Sequence, residues 1–195
     1  MKLVFATHNQ NKVKEVQQLL PKGITLVSLK DLGITEDIPE TENTLEGNAK
    51  LKSDYVYQNY NLSCFADDTG LLVDALNGEP GVYSARYAGI RNDAHANMDK
   101  LLKNLADKDN RSAHFKTVIS LNLEGRTQFF EGVVEGEITT SKKGDKGFGY
   151  DPIFRPNGYD QTFAELPLDI KNEISHRGKA FSKLITYLND HHVTD

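Results

Sequence analysis

The chain has a single cysteine, no tryptophan and only two methionines. One cysteine excludes an intramolecular disulfide. Cys64 lies in the apolar stretch SCFA (63–66) and reads as a small buried hydrophobe rather than a nucleophile. Long hydrophobic runs are also missing, and nothing approaches the ~20 apolar residues that span a bilayer. The start, MKLVFATHNQ, has only four apolar residues in a row, too few for a secretory signal, so the expected compartment is cytoplasmic. Positive charge is not in excess: Lys plus Arg is 23 against 28 Asp plus Glu, a net charge of -5. That argues against a general nucleic-acid binder, and any polyanion would have to be held by locally placed cations.

Several catalytic signatures are absent too. There is no G-x-x-x-x-G-K-[ST], no H-E-x-x-H, no C-x-x-C and no G-x-S-x-G. GFGYDP begins like a dinucleotide fingerprint, but Pro152 stands at the third glycine position. His191 and His192 read as a frayed polar tail rather than a metal site.

What is present is a globular composition, 38% hydrophobic over 195 residues, enough for one domain with a proper core. KLVFA (2–6) reads as a buried strand, followed by a helix over 11–20 in which Val13, Val16, Leu19 and Leu20 recur at helical spacing and which Pro21 ends. ITLVSL (24–29) reads as a strand and Thr44–Tyr57 as a helix. SCFA is a short strand that ends at Asp67 and Asp68, where Gly70 turns the chain. Residues 93–105 form a helix with Met98, Leu101 and Leu105 on one face. Residues 114–123 and 127–139 are strands joined by a hairpin at EGR. KKGDKGFGYDP (142–152) is a glycine-rich loop, and 173–189 is helical, with Ser175 as the N-cap of its last portion. The mixture predicts a single α/β domain with a central mixed sheet flanked by helices.

Five polar clusters stand out, each with a plain structural alternative. Asp67 and Asp68 adjoin at a strand end, where neighbours point to opposite sides and so need not share a role. One carboxylate can hold Mg2+ and also accept a proton from the attacking water; otherwise the pair caps a turn. The loop Thr7–Lys12 joins a buried strand to a helix start, a natural anion site; otherwise Asn11 merely caps the helix and Lys12 is exposed. Glu40 lies in an acidic loop, and Lys52 on the following helix; by themselves they read as a solvated loop and an exposed helix lysine. Gly147 and Gly149 let backbone approach a ligand, while Phe148 and Tyr150 offer faces on which a purine gains about 1–3 kcal/mol by stacking. Asp151 can accept from a base N–H, or the loop is a turn with its aromatics tucked into the core. Lys171, His176, Arg177 and Lys179 place cations at a helix start, against its dipole, which suits an anionic or carbonyl-bearing partner; otherwise they are simply a cationic helix start.

ATHNQNK, PET, NAKLK, ADDTGL, PGVYSARYAG, GFGYDPIF and ISHRGKA follow one another in that order. This ordered set strongly resembles the inosine/xanthosine triphosphate pyrophosphatase family over nearly the whole chain. The resemblance implies Mg2+-dependent hydrolysis of ITP, dITP and XTP to the monophosphate and pyrophosphate, which clears deaminated purine nucleotides from the pool. It implies an elongated domain whose two lobes flank an active-site cleft, a homodimer, and no nucleic-acid or membrane partner.

Carried over by position, Thr7, His8, Asn9, Gln10, Asn11 and Lys12 match the phosphate loop, and Lys52 faces the phosphates. Glu40 and Asp68 match the metal ligands, and Asp68 is also the proton acceptor. Thr69 matches a substrate contact. Phe148, Gly149, Tyr150 and Asp151, with Lys171, His176 and Arg177, match the contacts to the base and the rest of the substrate. Arg177 and His176 as donors suit the 6-keto group and mismatch adenine. Three positions depart from the pattern: Thr69 where many relatives have serine, and Leu45 and Gly47 where they often have Phe and Glu.

Overall fold

The computed structural model describes residues 2–17, 19–20, 22–89 and 93–192; Pro21, expected to end the first helix, lies outside them. Strands β1 (Lys2–Phe5), β2 (Thr25–Ser28), β3 (Cys64–Val73), β4 (Pro80–Gly81), β5 (Ser112–Leu123), β6 (Arg126–Ile138) and β7 (Phe154–Pro156) form one sheet. The helices are α1 (Gln10–Gln17), α2 (Leu45–Tyr60), α3 (Ala94–Asn104), α4 (Leu168–Ile174) and α5 (His176–His192). The strand order is β2-β1-β3-β5-β6-β7, with β4 paired to β3. β1 runs parallel to both β2 and β3, whereas β3–β4 and β6–β7 are antiparallel. The sheet is therefore mixed, as the alternation of helical and strand patterns implies.

The chain divides into two compact units, and β3, β5 and β6 carry residues of both. The first unit comprises residues 1–68, 117–132 and 177–195. In it β1 and the start of β3 are buried on both faces, which is why Leu3–Ala6 and Cys64–Ala66 read as apolar runs. Leu3, Phe5 and Phe65 pack with Val16 of α1 and with Phe181, Leu184 and Leu188 of α5. The Phe5 and Phe65 rings stack at 4.5 Å, with Phe181 set edge-on to both. The alternate residues Val4, Ala6, Cys64 and Ala66 turn the other way and pack with Val56 of α2. Each fully buried Val, Leu or Phe among them contributes about 1.5–3 kcal/mol. The second unit, residues 69–116 and 133–176, has its own core around Leu71, Met98, Leu101, Phe115, Phe154 and Phe163.

Two regions differ from their sequence patterns, β3 and the terminal helical run. β3 does not stop at the aspartates; it continues through Asp67, Asp68 and Gly70 to Val73. The carboxylates find cations on the two layers that flank the strand, so extended backbone is kept where isolated carboxylates would have forced a turn. The terminal helical run is two helices, broken where Ser175 is extended (φ -70°, ψ 157°). α5 continues to His192, so the terminal histidines belong to a helix rather than a tail, and His191 stacks on Tyr187 at 4.1 Å. The β5–β6 hairpin turns through Glu124 (φ 51°) and Gly125 (φ 76°), the two consecutive left-handed residues that match the twist of the flanking strands.

Cys64 is fully buried, and its thiol donates to the Ser53 carbonyl at 3.1 Å. Burial, with a contribution from Asp54, pushes the thiol up to about 12. Native protein at pH 8 should therefore resist iodoacetamide, and urea-unfolded protein should take up one label per chain by mass spectrometry. Rapid native labelling would show that this layer opens easily.

Candidate active site

Residue parity along β3 organises the first unit's polar cluster. Phe65 belongs to the layer of α1 and α5, and Ala66 to the layer of α2. Alternation then carries Asp67 toward α1 and α5, and Asp68 toward α2. The ion pairs follow this division. Lys12 of α1 reaches both carboxylate oxygens of Asp67 at 3.0 Å, and Arg177 Nε of α5 lies 3.8 Å from Oδ2. Lys52 of α2 donates to Asp68 Oδ1 at 3.2 Å and to Glu40 Oε1 at 2.8 Å. Adjacent carboxylates thus have separate ion-pair partners.

Their electrostatics diverge as well. Burial pushes the Asp67 carboxyl upward, but Lys12, Arg177 and Lys52 outweigh it and hold the group below the ordinary aspartate range. For Asp68 burial prevails: with Glu40 adding repulsion, Lys52 and Lys12 do not bring the group back, and it rises above the ordinary value. Lys12 is lowered by burial despite Asp67, with Lys52 and Arg177 adding to the fall. Burial also disfavours the charged form of Lys52, yet Asp68, Glu40 and Asp67 more than compensate and keep its ammonium above the usual lysine value.

The loop before α1 is built by its own side chains. Thr7 Oγ1 accepts from Asn9 N, and Asn9 Oδ1 accepts from the backbone N–H groups of Asn11 and Lys12. Capping is therefore the task of Asn9 rather than Asn11, and Lys12 is drawn inward instead of exposed. His8 Nε2 donates to the Glu36 carbonyl at 2.9 Å, while Gln10 and Asn11 are exposed. Thr69 is half-buried on β3.

In the second unit, Asp151 Oδ2 accepts from Phe148 N and from Lys171 Nζ, both at 2.8 Å. Lys171 Nζ also lies 5.3 Å from the centre of the Phe148 ring. Gly147 has φ 76°, and a Cβ on it would overlap Asp151 Oδ2, so the turn admits glycine alone. Phe148 is half-buried and Gly149 likewise, but Tyr150 is in the core and its hydroxyl donates to the Ser84 carbonyl at 2.7 Å. Only one of the two expected aromatic faces is therefore accessible, and Tyr150 anchors the loop. His176 is buried and stacks on Phe115 at 4.6 Å, whereas Arg177, one residue on, joins the Asp67 cluster of the first unit.

Sequence reasoning passed over Asn48. It stands one helical turn before Lys52 on the same face, fully buried, and its Oδ1 accepts from Glu42 N at 3.0 Å. It thereby ties the acidic loop of Glu40 to the helix that carries Lys52. The available signal was the i, i+4 spacing within NAKLK. The glycine at 47 also has a physical reason: a Cβ there would lie 2.7 Å from Glu42 Cβ, closer than two such atoms approach.

Among the described residues no three His, Cys, Asp or Glu side chains form a metal-holding group. Glu40 and Asp68 supply two oxygen donors bridged by one ammonium. That set fits Mg2+, which is held by one or two carboxylates and completes its shell with water and substrate phosphate. No helix of the described residues is long and apolar enough to cross a membrane.

A family model described as the Ham1 family matches residues 3–187. A dITP/XTP pyrophosphatase of Flavobacterium johnsoniae is 63% identical, over 96% of this chain and 98% of that one. A Bacillus subtilis protein of the same name is 46% identical over 93% of each. The solved Ham1 protein of Staphylococcus aureus has a TM-score of 0.90 at 41% identity, covering 97% of this chain and 99% of its own.

Asp67→Asn should cost about 3 kcal/mol in urea denaturation, because it leaves two buried cations without their carboxylate. Unchanged stability would mean that Lys12 and Arg177 do not depend on this carboxylate.

Proposed function

The chain belongs to the Ham1 family, and we propose that it hydrolyses the non-standard purine nucleoside triphosphates ITP, dITP and XTP to the monophosphate and pyrophosphate, with Mg2+. The broader class is that of a nucleoside-triphosphate pyrophosphatase. The observation that carries the reading is Asp68, a buried carboxylate raised above its ordinary value and set against Lys52 and Glu40. A carboxylate so poised is a better proton acceptor than an ordinary exposed aspartate.

In this reading the loop Thr7–Lys12, with the positive end of the α1 dipole behind it, and the ammonium groups of Lys12 and Lys52 receive the triphosphate, which brings about four negative charges. Glu40 and Asp68 would hold Mg2+, which when bound neutralises phosphate charge and supports departure of pyrophosphate. Asp68 orients the attacking water and takes its proton as the bridge between the α- and β-phosphates breaks. Lys12 and Lys52 stabilise the charge that accumulates on the leaving pyrophosphate. Phe148 offers the stacking face, held by Asp151 and Lys171. Arg177 and His176 donate to the 6-keto oxygen, which adenine lacks. Action as a homodimer rests on the family resemblance alone.

The deciding experiment is product analysis with ITP, XTP, GTP and ATP, with Mg2+ and with chelator. The expected result is monophosphate and pyrophosphate from ITP or XTP in the presence of metal, and no turnover with chelator. Asp68→Asn should lower kcat by about 100-fold or more, the usual contribution of a positioned base. Diphosphate with orthophosphate would overturn the reading, as would full activity of the variant. Arg177→Ala should bring the ITP-to-ATP ratio of kcat/KM toward unity; an unchanged ratio would refute its part in base recognition.

A further inference from the structure

Lys52 does more than neutralise. Its ammonium stands between one oxygen of Glu40 and one of Asp68, at 2.8 and 3.2 Å. The three side chains are 10%, 19% and 12% exposed, so water screens the contacts little. The ammonium is held there from both ends. α2 fixes its stem, and Asn48, on the same face, ties the loop of Glu40 to that helix through Glu42 N. A point shared by these two oxygens is also where a divalent cation bound by both carboxylates must lie. Such a cation needs oxygens at about 2.1 Å and cannot share the space with an ammonium.

We propose that Lys52 competes with the divalent cation for Glu40 and Asp68, and that entry of the cation expels the ammonium toward the phosphates. One lysine then links two events: the carboxylates exchange it for the cation, and the polyphosphate gains it as a counter-charge. The cation on its own binds weakly, because it must displace a buried ion pair. A bound polyphosphate that draws Lys52 away removes that competition, so cation and nucleotide bind cooperatively. The inference rests on reading Glu40 and Asp68 as the cation's ligands, and it does not require that the reaction be the one proposed above.

The test is Mn2+ binding to chelator-stripped protein, read as loss of the free-ion signal in electron paramagnetic resonance. Lys52→Met should bind Mn2+ about tenfold tighter than the wild type, since a competing charge is removed, while Lys52→Arg should stay close to it. Adding Glu40→Gln to Lys52→Met should abolish the gain. Thermal melts provide a second readout: Mn2+ should raise the Tm of Lys52→Met more than that of the wild type, because the ion restores the missing charge. Equal or weaker Mn2+ binding by Lys52→Met would overturn the proposal. So would a gain that survives Glu40→Gln, or a Lys52→Met chain that stays unfolded at saturating Mn2+. Tightened Mn2+ binding by Lys52→Met, with a wild-type protein that fails to cleave ITP, would sink the reaction and leave this inference standing; normal cleavage by the wild type, with no Mn2+ gain in Lys52→Met, would do the reverse.

Discussion

Two carboxylates that are adjacent, buried and charged each need a cation of their own, and the first unit is arranged around that requirement. Asp67 is 2% exposed and Asp68 9%. An unpaired buried charge costs several kcal/mol, more than one apolar side chain of the surrounding layers returns. Because the strand alternates, no single helix can serve both. Lys12 and Arg177 therefore come from α1 and α5 on one side, and Lys52 from α2 on the other. The layers that build the core, Phe5, Phe65 and Phe181 on one face and Ala66 and Val56 on the other, are the same layers that deliver these charges. Packing and electrostatics thus share one geometric cause, the two-residue period of β3.

This explains which features could be read from the amino-acid order. The apolar runs of β1 and β3, the helical spacing of Val13 and Val16, and that of Met98, Leu101 and Leu105, are local patterns that survive into the fold. The length of β3 is not local. Nothing within ADDTG announces that Lys12 and Lys52, 55 and 16 residues away in sequence, will hold its aspartates in extended backbone. Gly70 then reads as a turn, although it lies inside the strand. The short strands β4 and β7 were missed for a related reason: two or three residues carry no periodicity, and their partners on β3 and β6 define them. The site residues of each cluster were legible as types, whereas the sorting of Asp67 to one layer and Asp68 to the other required the register.

The glycine-rich loop illustrates a different limit. Gly147, Phe148, Tyr150 and Asp151 could be singled out from sequence, but their division of labour could not. Tyr150 spends its ring on the core and its hydroxyl on Ser84, while Asp151 spends Oδ2 on the Phe148 N–H and on Lys171. What remains half-exposed is the Phe148 ring, with an ammonium 5.3 Å from its centre. A loop that must present one flat face is stiffened by spending its other side chains on itself, which lowers the ordering cost of any ligand that stacks there.

The opposite displacement of two neighbouring carboxyls gives the clearest link from geometry to chemistry. Asp67 receives two cations and is held ionised, so it anchors Lys12 and Arg177 and is a poor proton acceptor. Asp68 shares a single ammonium with Glu40, and burial prevails. The difference follows from the number of cations each layer supplies rather than from any difference between the residues themselves. Lys52 contacts both Glu40 and Asp68, and a divalent ion held by the same two carboxylates would bring twice its charge to that place.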